Sequence, residues 1–325
     1  MRSRTNAFGS RWISLVTAAA SLVLFLGVGA CIAAETGEVR IAVLFGGNGA
    51  PFKETLAGFQ QVLRTRGMRA RYIVRNLAGN GEKAARAVRE IKSEKPDLLF
   101  TVGTRATEAA LKKIADIPII AGLLLRPDLL DEKDNATGVY LEHPVETQLK
   151  WLRRILPEAR NVGILFNPGE NWEGVKCAAR IAADLGLRLE AREVESPGDI
   201  PQALESLGRR ADVLWGMSDS VASAPETARY VLLSSFRHRI PFVGLSSSWV
   251  KAGALYSLEW DYGDIGSQCG EMALKVLGGE PVDSIPPAPP RRTVYALNMN
   301  TAKQLNIRLP ESIVRGAVRV FQGGD

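Results

Sequence analysis

Arg40-Ile41-Ala42-Val43-Leu44-Phe45 returns later in the chain as Asn161-Val162-Gly163-Ile164-Leu165-Phe166. Each is a short, almost wholly apolar run, the pattern of a strand buried on both faces of a parallel sheet. Two further pairs keep the same order. Pro96-Asp97-Leu98-Leu99-Phe100 is echoed by Arg210-Ala211-Asp212-Val213-Leu214-Trp215, and Ile117-Pro118-Ile119-Ile120 by Ile240-Pro241-Phe242-Val243. One plan written twice predicts two α/β lobes.

Amphipathic segments fill the gaps. Helices are predicted over 51–66, 82–93 and 104–114 in the first half, and over 144–156, 172–185, 201–207 and 225–237 in the second. Further strands are predicted at 69–74 and 188–194. Strand and helix in alternation imply parallel sheets covered by helices. Downstream, a strand begins at 254–258 and a helix covers 262–277. A proline-rich connector, 281–290, reads as extended surface chain. A strand at 295–298 and a short helix at 301–305 follow.

The totals agree with two lobes. The chain has 325 residues, 46% hydrophobic and 23% charged, enough for a sizeable core and too apolar for a disordered chain. The net charge is +6, but Arg2, Arg4 and Arg11 supply half of it, leaving +3 from Cys31 onward. So small and dispersed an excess argues against nucleic acid as a partner.

Those three arginines flank the apolar stretch 13–28, and Gly29, Ala30, Cys31, Ala33 and Ala34 follow. A positive start, an apolar middle and small residues at the end make a secretory signal, expected to be removed over 1–30. Val28-Gly29-Ala30-Cys31 also resembles a bacterial lipobox, in which Cys31 would carry a lipid. Ordinary cleavage near Ala30 or Ala34 is the alternative, and an uncleaved anchor ranks below both because the run is short for a spanning helix. The expected location is extracytoplasmic, either periplasmic or as a membrane-anchored lipoprotein. Cys177 and Cys269 lie far apart in helical patterns and read as free, buried thiols.

In open parallel sheets, ligands bind beyond the carboxyl ends of the strands, where helix N-termini offer free N–H groups. Those edges read Gly46-Gly47-Asn48-Gly49, Gly103-Thr104-Arg105 and Leu125-Arg126 in the first lobe. In the second they read Asn167-Pro168-Gly169-Glu170-Asn171-Trp172, Ser218-Asp219-Ser220 and Ser246-Ser247-Ser248-Trp249. Candidate ligand-binding residues are therefore Asn48, Gly103, Thr104, Arg105, Asn167, Glu170, Asn171, Trp172, Asp219, Ser220 and Ser246. Any one of them could equally be a helix cap, since caps favour the same residue types. Asp219 in particular has two roles open, capping the next helix or holding a ligand cation.

Enzyme signatures are weak. Ser248-Trp249-Val250-Lys251 fits Ser-x-x-Lys, but no Lys-Thr-Gly follows. Gly46-Gly47-Asn48-Gly49 lacks the Gly-Lys-Ser/Thr of a phosphate loop. His143 and His238 have no metal-ligand spacing with another His or Cys. No metal and no cofactor is expected, and the chain reads as a binding protein.

A set of ordered stretches resembles the ABC-transporter substrate-binding family whose characterised members bind tryptophan or tyrosine. They are Pro96-Asp97-Leu98 with Val102-Gly103-Thr104, Ala136-Thr137-Gly138-Val139, Pro144-Val145-Glu146-Thr147-Gln148-Leu149, and Leu156-Pro157-Glu158-Ala159. They continue with Val162 to Glu170, Ser218-Asp219, Asp261-Tyr262 with Ile265-Gly266, and Asn298 to Leu309. The resemblance implies a type I periplasmic-binding-protein fold, two Rossmann-like lobes joined by a three-stranded hinge. It places 38–141 with 248–279 in the first lobe and 142–247 with 280–322 in the second. It implies a monomer that closes on a small polar solute, with an aromatic amino acid among the candidates, and hands it to an ABC permease in the inner membrane. An extracytoplasmic sensor presenting the solute to a receptor or histidine kinase is the alternative. Thr104, Asn167 and Ser220 are candidates for a solute carboxylate, and Asp219 or Glu170 for its ammonium. Arg105, Leu124-Leu125-Arg126-Pro127 and Ser246-Ser247-Ser248 depart from the family pattern, and the two arginines would suit a more anionic solute.

Overall fold

The computed structural model describes residues 38–77, 81–131 and 133–323. The signal at 1–30 and the lipidation candidate Cys31 lie outside the described residues. The opening apolar run is strand β1 (Val39–Phe45). Its residues alternate between two cores, because helices cover both faces of the sheet. Ile41 and Val43 pack toward one cluster, Ala42 and Leu44 toward the other, all fully buried.

The first lobe runs β1, α1 (Ala50–Thr65), β2 (Ala70–Asn76), α2 (Gly81–Glu94), β3 (Leu98–Val102), α3 (Thr104–Leu111), β4 (Ile119–Leu124) and β5 (Ala136–Tyr140). Its strands form one parallel sheet in the order β2-β1-β3-β4-β5. The second lobe holds α4 (Val145–Ile155), β6 (Asn161–Phe166), α5 (Pro168–Asp184), β7 (Arg188–Glu193), α6 (Ile200–Leu207), β8 (Val213–Trp215), α7 (Pro225–His238), β9 (Phe242–Gly244), α8 (Ser247–Ala252) and β10 (Tyr256–Trp260). The chain then returns to the first lobe as α9 (Tyr262–Leu277). It ends in the second lobe with β11 (Thr293–Asn298), α10 (Met299–Gln304), α11 (Glu311–Gly316) and β12 (Arg319–Phe321). The second sheet has the order β12-β11-β10-β9-β8-β6-β7.

The repeat seen in the sequence has a structural counterpart. Asp97 Oδ2 accepts the N–H of Arg40 at 2.7 Å, and Asp212 Oδ2 accepts the N–H of Asn161 at 2.8 Å. In each lobe a carboxylate just before one strand holds the start of the neighbouring strand.

Two lobe boundaries fall later than the sequence implies. Residues 248–260 belong to the second lobe, because β10 pairs in parallel with β9 and antiparallel with β11. The connector at 280–292 stays on the first lobe. Thr137 Oγ1 donates to the Ile285 carbonyl at 2.6 Å, Ile285 is buried in the first lobe's core, and Arg291 is salt-bridged to Asp264 of α9. The crossings therefore lie at 141–144, 260–262 and 291–293. Because the chain both leaves and re-enters the second lobe at the same sheet edge, β11 runs against β10, and this sheet is mixed rather than wholly parallel.

Helices α1 and α9 lie against each other in the first lobe, at a separation only glycine allows. A Cβ on Gly266 would sit 1.9 Å from the Thr55 carbonyl oxygen. The ring of Phe59 on α1 stacks on Phe100 of β3 at 4.1 Å. Cys177 and Cys269 are both free thiols. Cys269 is buried, and burial pushes its thiol up to about 12. Cys177 is exposed on α5, against the expectation of burial, because its position faces away from the apolar stripe of Val175, Ala178 and Ala182. No helix among the described residues is long and apolar enough to cross a membrane.

Candidate functional site

The crossings are tied to one another by side chains. His143, on the first, stacks on Trp260, at the end of β10, with ring centroids 3.7 Å apart and planes 11° from parallel. Arg292, entering the third, is 3.1 Å from the Asp261 carboxylate. Pro144 follows His143 and starts α4, whose Gln148 donates to the His143 carbonyl at 2.7 Å. Gln148 also accepts from the Trp215 indole N–H at 3.1 Å. These bonds tie the first crossing to the floor of the second lobe.

A cavity of about 370 Å³ opens there, lined by Leu141, Glu142, His143, Val145, Gln148, Asn171, Trp215, Met217, Ser218, Leu245, Leu258 and Trp260. Its walls are aromatic and aliphatic, with a few polar groups, the usual make-up of a small-molecule site. On the other side of Trp260 lies a second cavity of about 480 Å³ between the lobes. Ala50, Pro51 and Glu54 of α1 line it with Ser247, Glu259, Asp261, Tyr262 and Arg319. Trp260 borders both.

His143 carries an anomaly. Its Nε2 is buried and has no hydrogen-bond partner, the one such side-chain atom among the described residues. Burial also lowers the imidazole from its ordinary 6.5 to about 4, so the ring is neutral at neutral pH. Buried polar atoms without partners are rare and call for a reason.

The second-lobe candidates converge into one network. Asp219, 6% exposed, accepts from the Asn167 N–H at 2.6 Å and the Asn171 amide at 2.9 Å through Oδ2. Through Oδ1 it accepts from the N–H groups of Val221 and Ala222, each at 2.8 Å. Burial alone would raise this carboxyl, but those donors together hold it below the ordinary carboxylate range. Glu170 accepts from the N–H of Ser220 at 3.0 Å and from its hydroxyl. Asn167 caps α5 by accepting from the Gly169 N–H at 3.0 Å. A carboxylate has about four acceptor positions. The ammonium-binding role expected of Asp219 is therefore taken up by protein donors, and the residue clamps α5 to the loop after β8.

The first-lobe candidates sit at the facing edge. Gly103 is at φ +96°, and a Cβ there would lie 3.0 Å from Phe52, so only glycine fits. With Gly49 and Gly103 at their N-cap positions, α1 and α3 start without a side-chain cap. Thr104 Oγ1 accepts the Leu125 N–H at 3.0 Å, and Asn48 Oδ1 accepts from Asn76. Arg105 turns away from the hinge and lines a groove between α2 and α3 with Arg89, Lys92, Lys112 and Lys113. Arg126 is paired with Asp128 at 2.6 Å and Glu108 at 3.5 Å. The anionic solute suggested by these two arginines thus loses its support.

Of the remaining candidates, Trp172 is 43% exposed and has Lys176 Nζ 5.2 Å above its ring. Ser246 precedes α8 without capping it. Asn171 alone among the sequence candidates lines the cavity beside His143. Sequence reading missed Glu142, His143, Gln148 and Trp260. The available signal was charged and aromatic residues at the lobe crossings, Glu142-His143-Pro144 and Glu259-Trp260-Asp261.

A family model described as ABC transporter substrate binding protein matches residues 38–321. A curated tyrosine-binding protein of Clostridioides difficile (strain R20291) is 26% identical over 229 residues, 66% of this chain. That match spans 65% of the relative's length, just under two thirds. Among solved structures, the ligand-free, open form of a substrate binding protein with adhesive properties from Clostridium difficile superposes with a TM-score of 0.72. It is 22% identical, covering 88% of this chain and all of that one. An ABC domain in complex with L-Trp from Streptococcus pneumonia gives a TM-score of 0.55 at 23% identity, covering 87% of this chain and all of that one. At these identities the two structures establish the shared fold.

Proposed function

This chain belongs to the ABC transporter substrate binding protein family, and on that premise we propose that it captures a small aromatic solute, an aromatic amino acid first among the candidates, for an ABC importer. The observation that carries the reading is the hinge cavity. Trp260 and the stacked His143, with Leu258, Trp215, Val145 and Leu245, offer an aromatic and aliphatic bed of about 370 Å³ where the lobes meet. Rotation about three crossings would bring the uncapped N-termini of α1 and α3 over that bed and exclude water from it. Such N-termini favour an anionic group such as a solute carboxylate. The tyrosine-binding relative supports the same choice.

In this reading the chain is no enzyme, acts as a monomer and works outside the cytoplasm. The Arg-flanked apolar segment before Cys31 supports export, by cleavage alone or with a lipid on Cys31. An inner-membrane permease is the partner that receives the solute. The test is thermal denaturation of the purified protein with amino acids, nucleosides and small acids. At a hundred times its dissociation constant a solute stabilises the fold by about 2.7 kcal/mol. A clear rise in melting temperature with tyrosine, tryptophan or phenylalanine is expected. No rise with any of the three at millimolar concentration would reject the aromatic reading.

A further inference from the structure

The protein is basic overall, yet the two cavities that flank Trp260 are acidic. The first contains one charged side chain, the Glu142 carboxylate, and no cation. The second has Glu54, Glu259 and Asp261 against Arg319. Asp261 is further engaged by Arg292 at 3.1 Å, and Arg319 is held at the rim, 3.4 Å from the Ser247 hydroxyl. The cations of the first lobe's edge lie elsewhere, in the α2–α3 groove or in pairs of their own. Asp219, the buried carboxylate of the second lobe's edge, is filled by four protein donors, and Glu170 there is engaged by the N–H and hydroxyl of Ser220.

We propose that the cleft selects its solute by a positive charge, held by Glu142 beside the His143–Trp260 stack, and that it accepts aromatic primary amines lacking a carboxylate. This rests on the reading of the cleft as the site of an aromatic solute and names the charge it recognises. Closure desolvates Glu142, and a buried carboxylate without a cation is costly. An ammonium satisfies it, and the aromatic rings that line the same cavity add attraction for the cation. A carboxylate on the solute finds only uncapped helix N-termini, which are dipoles rather than charges and contribute at most about thirtyfold in affinity in a partly buried site. Losing the ammonium therefore costs more than losing the carboxylate. The unpartnered Nε2 of His143 lies next to Glu142 in sequence, on a residue that lines the same cavity, and no cationic side chain there competes with the solute.

The experiment is calorimetric titration of the purified protein with two matched series. One is L-tyrosine, tyramine and 3-(4-hydroxyphenyl)propionate, and the other is L-tryptophan, tryptamine and indole-3-propionate. Within the series that binds, the amine is expected to lose less than about thirtyfold against the amino acid, and the propionate more than about thirtyfold. Glu142→Gln should weaken the amine and the amino acid by about tenfold or more. It should leave the melting temperature of the unliganded protein in place, because Glu142 is exposed there. Propionates that bind as well as the amino acids, amines that stay silent while the amino acids bind, or a Glu142→Gln variant with unchanged amine affinity would each overturn the inference and leave the solute-binding reading standing. Silence from all six compounds would remove both.

Discussion

Replacing Asp219 by Asn tests whether the second lobe's most buried carboxylate holds the fold or the solute. The side chain keeps its shape but turns one acceptor into a donor. In either amide orientation, two of the four donors lose their acceptor: the Val221 and Ala222 N–H groups, or the Asn167 N–H and the Asn171 amide. Hydrogen bonds to a charged group contribute about 1.5–3 kcal/mol each, and the retained pair weakens as the charge is lost. Asp219 is 6% exposed, so water replaces little. The expected loss is about 3–4 kcal/mol, which for a chain of this size lowers the melting temperature by roughly 4–7 °C. The wild type should also show an acid limb that the variant lacks. The carboxyl is depressed in the fold, so its contribution is present above the ordinary carboxylate pKa and is lost as pH falls through the folded value. Circular dichroism melts and calorimetric titration with L-tyrosine or L-tryptophan below the transition are the assays. Affinity should stay within about threefold. A melting temperature within about 2 °C of wild type together with a tenfold loss of affinity would refute the clamp and return Asp219 to the solute.

Other perturbations probe the hinge, the packing and the export signal. His143 has a folded pKa of about 4 against 6.5 for the free side chain, so the unfolded state binds its proton first. Stability should fall by up to roughly 3 kcal/mol as pH drops from 6.5 to 4, and His143→Gln should flatten that limb in urea titrations. An unchanged slope in the variant would place the acid sensitivity elsewhere. Gly266→Ala drives a Cβ to 1.9 Å from the Thr55 carbonyl, and α1 and α9 must separate. A loss of about 3 kcal/mol or more is expected in thermal melts, whereas a variant as stable as wild type would mean the helix pair has room to relax. Small-angle scattering should show a smaller radius of gyration with bound solute, and an equal radius at saturation would exclude closure. Intact-mass analysis of membrane and periplasmic fractions should find residues 1–30 absent, with a diacyl increment if Cys31 is lipidated. Full-length protein in the cytoplasm would end the export reading.

The duplicated apolar runs at 40–45 and 161–166 were enough to establish two α/β lobes, because a strand buried on both faces must be apolar throughout and little else in a soluble chain is. Helix starts were legible where Pro51 and Pro225 fall in the first turns, whereas α5 starts at Pro168, ahead of the predicted 172. The residues at strand ends could be located but not given roles. Asn167, Glu170, Asn171, Asp219 and Ser220 have the composition of a ligand site, and the same composition serves a turn that must satisfy its own buried backbone. Only coordinates show that Asp219 spends its acceptors on neighbours 52, 48, 2 and 3 positions away along the chain. The lobe boundaries at 260–262 and 291–293 were likewise hidden. Strand pairing between β10 and β11, and the docking of Ile285 on the first lobe, are long-range contacts with no local periodicity. The acidic hinge depends on such contacts as well, since Glu142 lies more than a hundred residues before Glu259 and Trp260 and meets them only where the crossings converge. Periodicity and turn chemistry are properties of neighbouring residues and can be read in order. The charge of a cleft is a property of what the tertiary fold brings together.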